Sequence, residues 1–289
     1  GIRNVIFLLR MEKMDWARAK TVLIALLLAV DVFLLVTYIR NENSTRQDEL
    51  AIKEDVCRIL AESGIEVDGD ILPSDSEELI PASVDSMSDM KNCAEKLFGT
   101  VTENITTDGT EYSGEKGNVL VLSDSFSIVF DTEKKVNSEE DSESLAYSVA
   151  KKLGVSTKKQ KFETVAESGG YTVTIPQILS GVRVFGCDVT AKISAQGSII
   201  AHGRFIADSE LRMKDEKVLK TSALMLIFAD EIAKNGYKNV KVKSVSAGYT
   251  ASAPVSGRIS LVPTLKFDFE SDGEKTVYLN MTNGDLVNM

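Results

Sequence analysis

The chain has little of what most catalytic sites are built from. Its 289 residues contain one histidine, His202, so no His-rich zinc site can be assembled. That histidine lies in a strand-like run, Ser198-Ile199-Ile200-Ala201-His202-Gly203, and reads as solvent-facing or structural. The three cysteines, Cys57, Cys93 and Cys187, lie far apart and form no C-x-x-C pair. A chain this long does not need a disulfide framework, so free, buried thiols are expected. The glycine pair Gly169-Gly170 lacks the following helix and lysine of a phosphate loop, and no G-x-S-x-G or H-E-x-x-H motif occurs. The acidic clusters Asp75-Ser76-Glu77-Glu78 and Glu139-Glu140-Asp141 lack the glycine and terminal glutamate of an EF-hand, and read as solvated surface or helix caps. Carboxylates are so numerous, 43 in all, that no two stand out as a glycosidase couple. No catalytic residue, cofactor or metal is expected, and the chain is read as a non-enzyme.

Positive charge is also scarce, and it is unevenly placed. Lysine and arginine number 33, for a net charge of −10; residues 1–40 carry +3 and residues 41–289 carry −13. Nucleic acid and anionic membrane surfaces need clustered lysine and arginine, so a body of this charge is expected to bind neither. Hydrophobic and charged fractions of 43% and 26% are those of an ordinary globular chain.

What is present is one long apolar run. Thr21–Ile39 holds a single charge, Asp31, and is bracketed by Lys20 and Arg40. As a helix it would reach about 28 Å, close to the ~30 Å hydrocarbon core of a bilayer. Arg3, Arg10, Lys13, Arg18 and Lys20 precede it, against Arg40 and Arg46 shortly after it. This bias places a short N-terminus, residues 1–20, in the cytoplasm and everything after the span outside. The run is longer than the ~7–15 residues of a signal-peptide core and no A-x-A site follows, so an uncleaved single-pass anchor is expected. Gly1–Arg10 is too short to span. Met14-Asp15-Trp16 makes a sensible beginning and puts Trp16 at the membrane interface as an anchor. Asp31 costs about 2.5–3.5 kcal/mol at the centre of such a helix, a cost that protonation, or a partner in a neighbouring helix, would offset. Asp31, with Thr37 toward the outer end, is therefore expected on a face turned to a partner helix.

Past the anchor the pattern is α+β, with an ectodomain of repeated helix-plus-antiparallel-sheet modules. Ser44 and Gln47 suggest a capping box, Leu50, Ile52, Val56, Ile59 and Leu60 a helical stripe, and Gly64 its stop. Ile65–Pro73 reads as a short strand and turn, and Ser74–Asp89 as a solvated loop. A stripe of Met87, Met90, Ala94, Leu97 and Phe98 ends at Gly99. Strands at Asn118–Leu122 and Ser125–Phe130 complete a first extracellular region, 41–140. In the second region, 141–289, helices are expected at Ser142–Leu153 and Thr221–Lys234. Strands are expected at Gly170–Ile175, Val182–Ile193, Ser198–Ile206, Val240–Tyr249, Ile259–Glu270 and Thr276–Asn280. These two halves align at an offset near eighty residues, pairing Gly154 with Gly236, Tyr171 with Tyr249 and Pro176 with Pro254, as a duplicated module would. Alternation in Leu265-Lys266-Phe267-Asp268-Phe269-Glu270 marks sheets with one packed and one wet face, the helices covering the former.

The segment Met14-Asp15-Trp16-Ala17-Arg18-Ala19-Lys20-Thr21, with Asp31 just before Phe33-Leu34-Leu35, resembles the start of the YycI proteins. Gly64-Ile65-Glu66-Val67 and Leu72-Pro73 look like that family's first extracellular elements. The match is specific over roughly residues 14–73. The resemblance implies a membrane-anchored, non-catalytic accessory protein of a two-component system that controls cell-wall metabolism in Gram-positive bacteria. It implies as partners a sensor histidine kinase and a YycH-like protein, bound in part through transmembrane helices. Two other classes fit the same topology: a bitopic cell-division or envelope scaffold, and an extracytoplasmic carboxylate-dependent hydrolase.

Overall fold

The computed structural model describes residues 20–289 except 22, 25, 29, 36, 38–47, 49, 74–78, 86–89, 123–124, 133, 156–161, 205, 207–210, 254 and 256–257. The chain divides into two units, Gly1–Asp55 and Val56–Met289. In the first, the described residues between 20 and 37 and between 48 and 55 are helical. Among the described residues no helix is long and apolar enough to cross a membrane. The expected span Thr21–Ile39 includes six positions, 22, 25, 29, 36, 38 and 39, that lie outside the described residues. Ser44 and Gln47 lie outside them too. Of the expected stripe, Leu50 and Ile52 are exposed.

The second unit is α+β. It opens with helical residues 56–62, where Val56 and Leu60 are buried but Ile59 is exposed. Gly64, at φ +77°, turns the chain out of this helix into β1 (Ile65–Glu66), the conformation glycine adopts without strain. After a 3₁₀ turn at Gly69–Ile71 comes β2 (Ala82–Asp85). This corrects the expectation of a solvated loop over Ser74–Asp89: Ala82 and Val84 are buried, and β2 pairs with a strand some 170 positions later. Helix α1 (Met90–Phe98) buries Met90, Cys93, Ala94, Leu97 and Phe98, the i, i+3, i+4, i+7, i+8 stripe of a core-facing helix.

Strands β3 (Thr102–Ile105), β4 (Thr110–Gly114), β5 (Gly117–Val121) and β6 (Phe126–Asp131) form a meander. Helix α2 (Glu139–Lys152) starts three residues earlier than expected. Ser138 caps it by accepting from the Asp141 N–H, so the three acids stand inside the first turn, at the positive end of the dipole. Then follow β7 (Glu163–Glu167), β8 (Gly170–Leu179), β9 (Val182–Ser194), β10 (Ser198–Gly203) and β11 (Arg212–Met213). Helix α3 (Thr221–Lys234) precedes β12 (Val240–Ala251), β13 (Arg258–Ser271) and β14 (Gly273–Asn280).

Among the described residues, all fourteen strands belong to one sheet whose main path runs β11-β2-β13-β12-β9-β10-β6-β5-β4-β3. Two long strands change partner midway. β9 pairs in parallel with β12 at Val184 and Phe185, then antiparallel with β10 from Val189 to Ile193, while β8 follows its other side. β13 pairs with β2 over Arg258–Leu261 and with β14 from Thr264 onward. Strands on both sides of position 140 therefore share the sheet, since β10 lies against β6. The helices α2 and α3 are each 14 residues long, and each is followed by a left-handed glycine, Gly154 and Gly236. Each leads into a meander, β8-β9-β10 and β12-β13-β14. Tyr171 and Tyr249 do not match within them: Tyr171 opens β8, whereas Tyr249 lies near the end of β12. Pro254 lies outside the described residues.

Three clusters fill the interior. One joins α1 and α2 to β5, β6 and β8–β10. A second joins residues 56–62 and α3 to β1 and β12–β14, with Phe228 stacked on Phe267 at 4.4 Å. The third lies where β2, β9, β12 and β13 meet; there the Tyr249 hydroxyl donates to the Ile80 carbonyl at 2.9 Å.

Candidate functional site

Of the residues singled out in the first unit, Trp16 lies outside the described residues. Asp31 and Thr37 are helical and exposed. Six positions apart, they stand about 120° from one another around a helix of 3.6 residues per turn. The Thr37 hydroxyl donates to the Phe33 carbonyl at 2.8 Å, one turn back. Leucine, isoleucine, valine and phenylalanine residues described between 23 and 35 are exposed, up to 68% at Phe33.

In the second unit a concavity of about 700 Å³ lies beside α2. Its cationic lining is Lys116, Lys134, Lys135, Lys151 and Lys152, against Asp131 and Asp141. Leu97, Phe130, Val136, Leu145 and Val149 supply an apolar floor. Local sequence explains each part. Lys116 stands in the tight β4–β5 turn, beside Gly117, where the chain must approach Val129 and Phe130 too closely for any side chain. Lys151 and Lys152 end α2, where cations offset the negative pole of the helix.

Lys134 and Lys135 ride on a strap that is pinned to the β9–β10 turn. Thr132 N–H donates to the Gly197 carbonyl at 2.9 Å, and Val136 N–H to the Ala195 carbonyl at 3.1 Å. The Thr132 hydroxyl also donates to Gly197 O at 3.0 Å. Asn137 N–H reaches Asp141 Oδ2 at 3.2 Å, tying the strap to α2. Gly197, at φ +92°, has no room for a Cβ, which would overlap the Lys134 carbonyl. Glu133 lies outside the described residues. The expectations drawn from the sequence contain nothing of this cleft. Its lysines are scattered over three elements, and only the Lys-Lys doublets at 134–135 and 151–152 offered a signal.

A second polar cluster lies at the β8–β9 hairpin. Arg183 and Asp188 pair at 3.4 Å across the kink at Gly186, with Arg183 Nε and Asp188 Oδ1 buried and unpartnered among the described residues. Burial pushes the Asp188 carboxyl above the usual range, outweighing the downward pull of Arg183, and Glu163 adds to the push. Nearby, Gln177 is fully buried and its amide serves both backbone groups of Ile206. His202 is exposed on the open face of β10. None of the three cysteines is in a disulfide; Cys93 and Cys187 are buried and Cys57 half-buried, and the Cys93 thiol donates to the Leu153 carbonyl at 3.7 Å. Among the described residues no group of histidine, cysteine and carboxylate side chains could hold a metal ion, and no aspartate or glutamate is fully buried, Asp188 being partly so.

No family model matches this chain, and neither does any curated protein. Solved structures do. An uncharacterized protein from Eubacterium rectale is 11% identical, with 73% of this chain and 86% of that one covered at a TM-score of 0.53. At this identity the likeness shows the fold alone. The C-terminal domain of YpeB from Bacillus megaterium is 15% identical over 71% of this chain and 96% of that one, at a TM-score of 0.35, too low to carry an argument.

Proposed function

We propose that this protein is a membrane-anchored, non-catalytic accessory regulator of the YycI kind. In this reading it binds a sensor histidine kinase and a YycH-like partner outside and within the membrane, and adjusts two-component signalling that controls cell-wall metabolism. One observation carries the proposal. The described apolar side chains from Leu23 to Leu35 are exposed all round their helix. Each would gain about 1.5–3 kcal/mol by leaving water, so this helix calls for lipid or for partner helices. The YycI-like pattern of residues 14–35 then indicates which lipid-embedded partners to seek.

A single-pass protein can bias a kinase only by binding its states with different affinity. Its available contacts are the apolar helix and the α+β unit. Within the helix Asp31 is the one group whose partnered and unpartnered states differ by kcal/mol, and an interhelical hydrogen bond is worth about 0.6–2 kcal/mol. That is enough to shift a balanced two-state kinase several-fold.

Affinity capture of the full chain from membranes tests the proposal. A histidine kinase should be recovered. Recovery of division proteins in its place would replace the regulator with a bitopic envelope scaffold. Topology is read separately by labelling single cysteines engineered on the α+β unit of intact cells; labelling only after lysis would refute an external ectodomain.

A further inference from the structure

The lysine cleft beside α2 opposes the charge of the body around it. Among the described residues its lining holds Lys134, Lys135, Lys151 and Lys152, with Lys116, against Asp131 and Asp141, in a chain whose residues 41–289 carry −13. Lys134, Lys135, Lys151 and Lys152 are exposed, and none has a side-chain partner among the described residues. A concavity lined by one sign of charge focuses its field and raises the local concentration of the opposite sign. The strap that bears two of these lysines is fixed by four hydrogen bonds, to the β9–β10 turn and to α2, so they are presented on a built wall.

We propose that this cleft binds an acidic peptide segment of a protein partner, with one apolar side chain seated on the floor and flanking carboxylates on the lysines. Three features select this ligand. The volume of about 700 Å³ falls within the ~300–1,000 Å³ of ligand clefts. The floor of Leu97, Phe130, Val136 and Leu145 offers apolar contact that a bare polyanion would not use. Among the described residues no arginine lines the cleft. Arginine is the fork that grips one phosphate bidentately, whereas separate lysines act as point charges suited to several carboxylates. That such a partner exists rests on the accessory role proposed above.

The test uses the full chain in detergent micelles and a fluorescein-labelled peptide of alternating glutamate and leucine, followed by anisotropy at about 0.15 M salt. Saturable binding is expected. The exposed double variants K134E/K135E and K151E/K152E should each weaken it at least tenfold, while K192E, on the open face of β9, should leave it unchanged. Absence of saturable binding would overturn the proposal, as would equal weakening by K192E. Inorganic tripolyphosphate binding more tightly than the peptide would overturn it in favour of a phosphate ligand. Undiminished kinase capture by both double variants, with no peptide binding by the parent, would sink the cleft proposal and leave the accessory role standing.

Discussion

Replacing Gln177 with leucine removes two hydrogen bonds at once. Gln177 lies fully buried in β8, at the point where the register against β9 shifts beside Pro176. Its Nε2 donates to the Ile206 carbonyl, and the Ile206 N–H donates to its Oε1 at 2.8 Å. Ile206 is 1% exposed, so water cannot take the place of the amide. Each orphaned buried group costs about 1–3 kcal/mol. Local relaxation and the apolar burial of leucine return part of this, leaving a loss of about 2–4 kcal/mol. For a unit of this size the central value of about 3 kcal/mol lowers the thermal midpoint by about 6–12 °C. Near-ultraviolet circular dichroism, which follows tertiary packing, reads it. Gln177→Glu separates hydrogen bonding from shape. Its ionised form faces the Ile206 carbonyl and destabilises at neutral pH; a buried acid has a raised pKa, so the lost stability returns as pH falls and the carboxyl gains a proton to donate. A Gln177→Leu midpoint within about 2 °C of the parent would refute the reasoning, because Ile206 would then have other partners.

Phe228→Ala should cost about 3–5 kcal/mol, since it vacates a fully buried site stacked on Phe267 and set edge-on to Phe269; a urea midpoint barely moved would contradict this. Asp268 is pushed up by burial, but Lys266, Thr276 and Ser244 all donate to it and together hold its carboxyl below the usual range. Its contribution is therefore present above the unfolded pKa and lost as pH falls through the folded one. Asp268→Ala should cost about 1 kcal/mol at neutral pH, given partial exposure, and converge with the parent in acid. A pH-independent gap would be the wrong sign of evidence. Under the proposed accessory role, Asp31→Leu should insert in the membrane at least as well as the parent yet change the output of the partner kinase's regulon. If complex formation and output are both unchanged, while removal of the α+β unit abolishes them, coupling runs through that unit.

Elements with a strong local signal were legible. The α3 boundaries follow from an apolar stripe closed by Asn235-Gly236, and α1 from its stripe closed by Gly99. The β13 alternation places Leu265, Phe267 and Phe269 inside and Lys266 and Asp268 at the surface. Weak or absent periodicity hid the rest. β3 has all four residues exposed, β7 four of its five, and β11 both, so as edge strands they carry no inside-out pattern. β2 is short and lies between acidic segments, and it is a strand because β13 is there to pair with it.

Local chemistry thus determined what short-range physics governs: the apolar run and its flanking charge, the helices with their glycine stops, the alternating strands and the α+β class. Which strands meet was decided only by the tertiary structure. β9 and β13 each change partners along their length, joining the two helix-and-meander units into one sheet. The lysine cleft likewise exists only because a turn at Lys116, a strap at Lys134 and the end of α2 converge. Contacts between positions far apart leave no periodic trace in either segment; they are selected by the apolar area and hydrogen bonds that the whole sheet satisfies together.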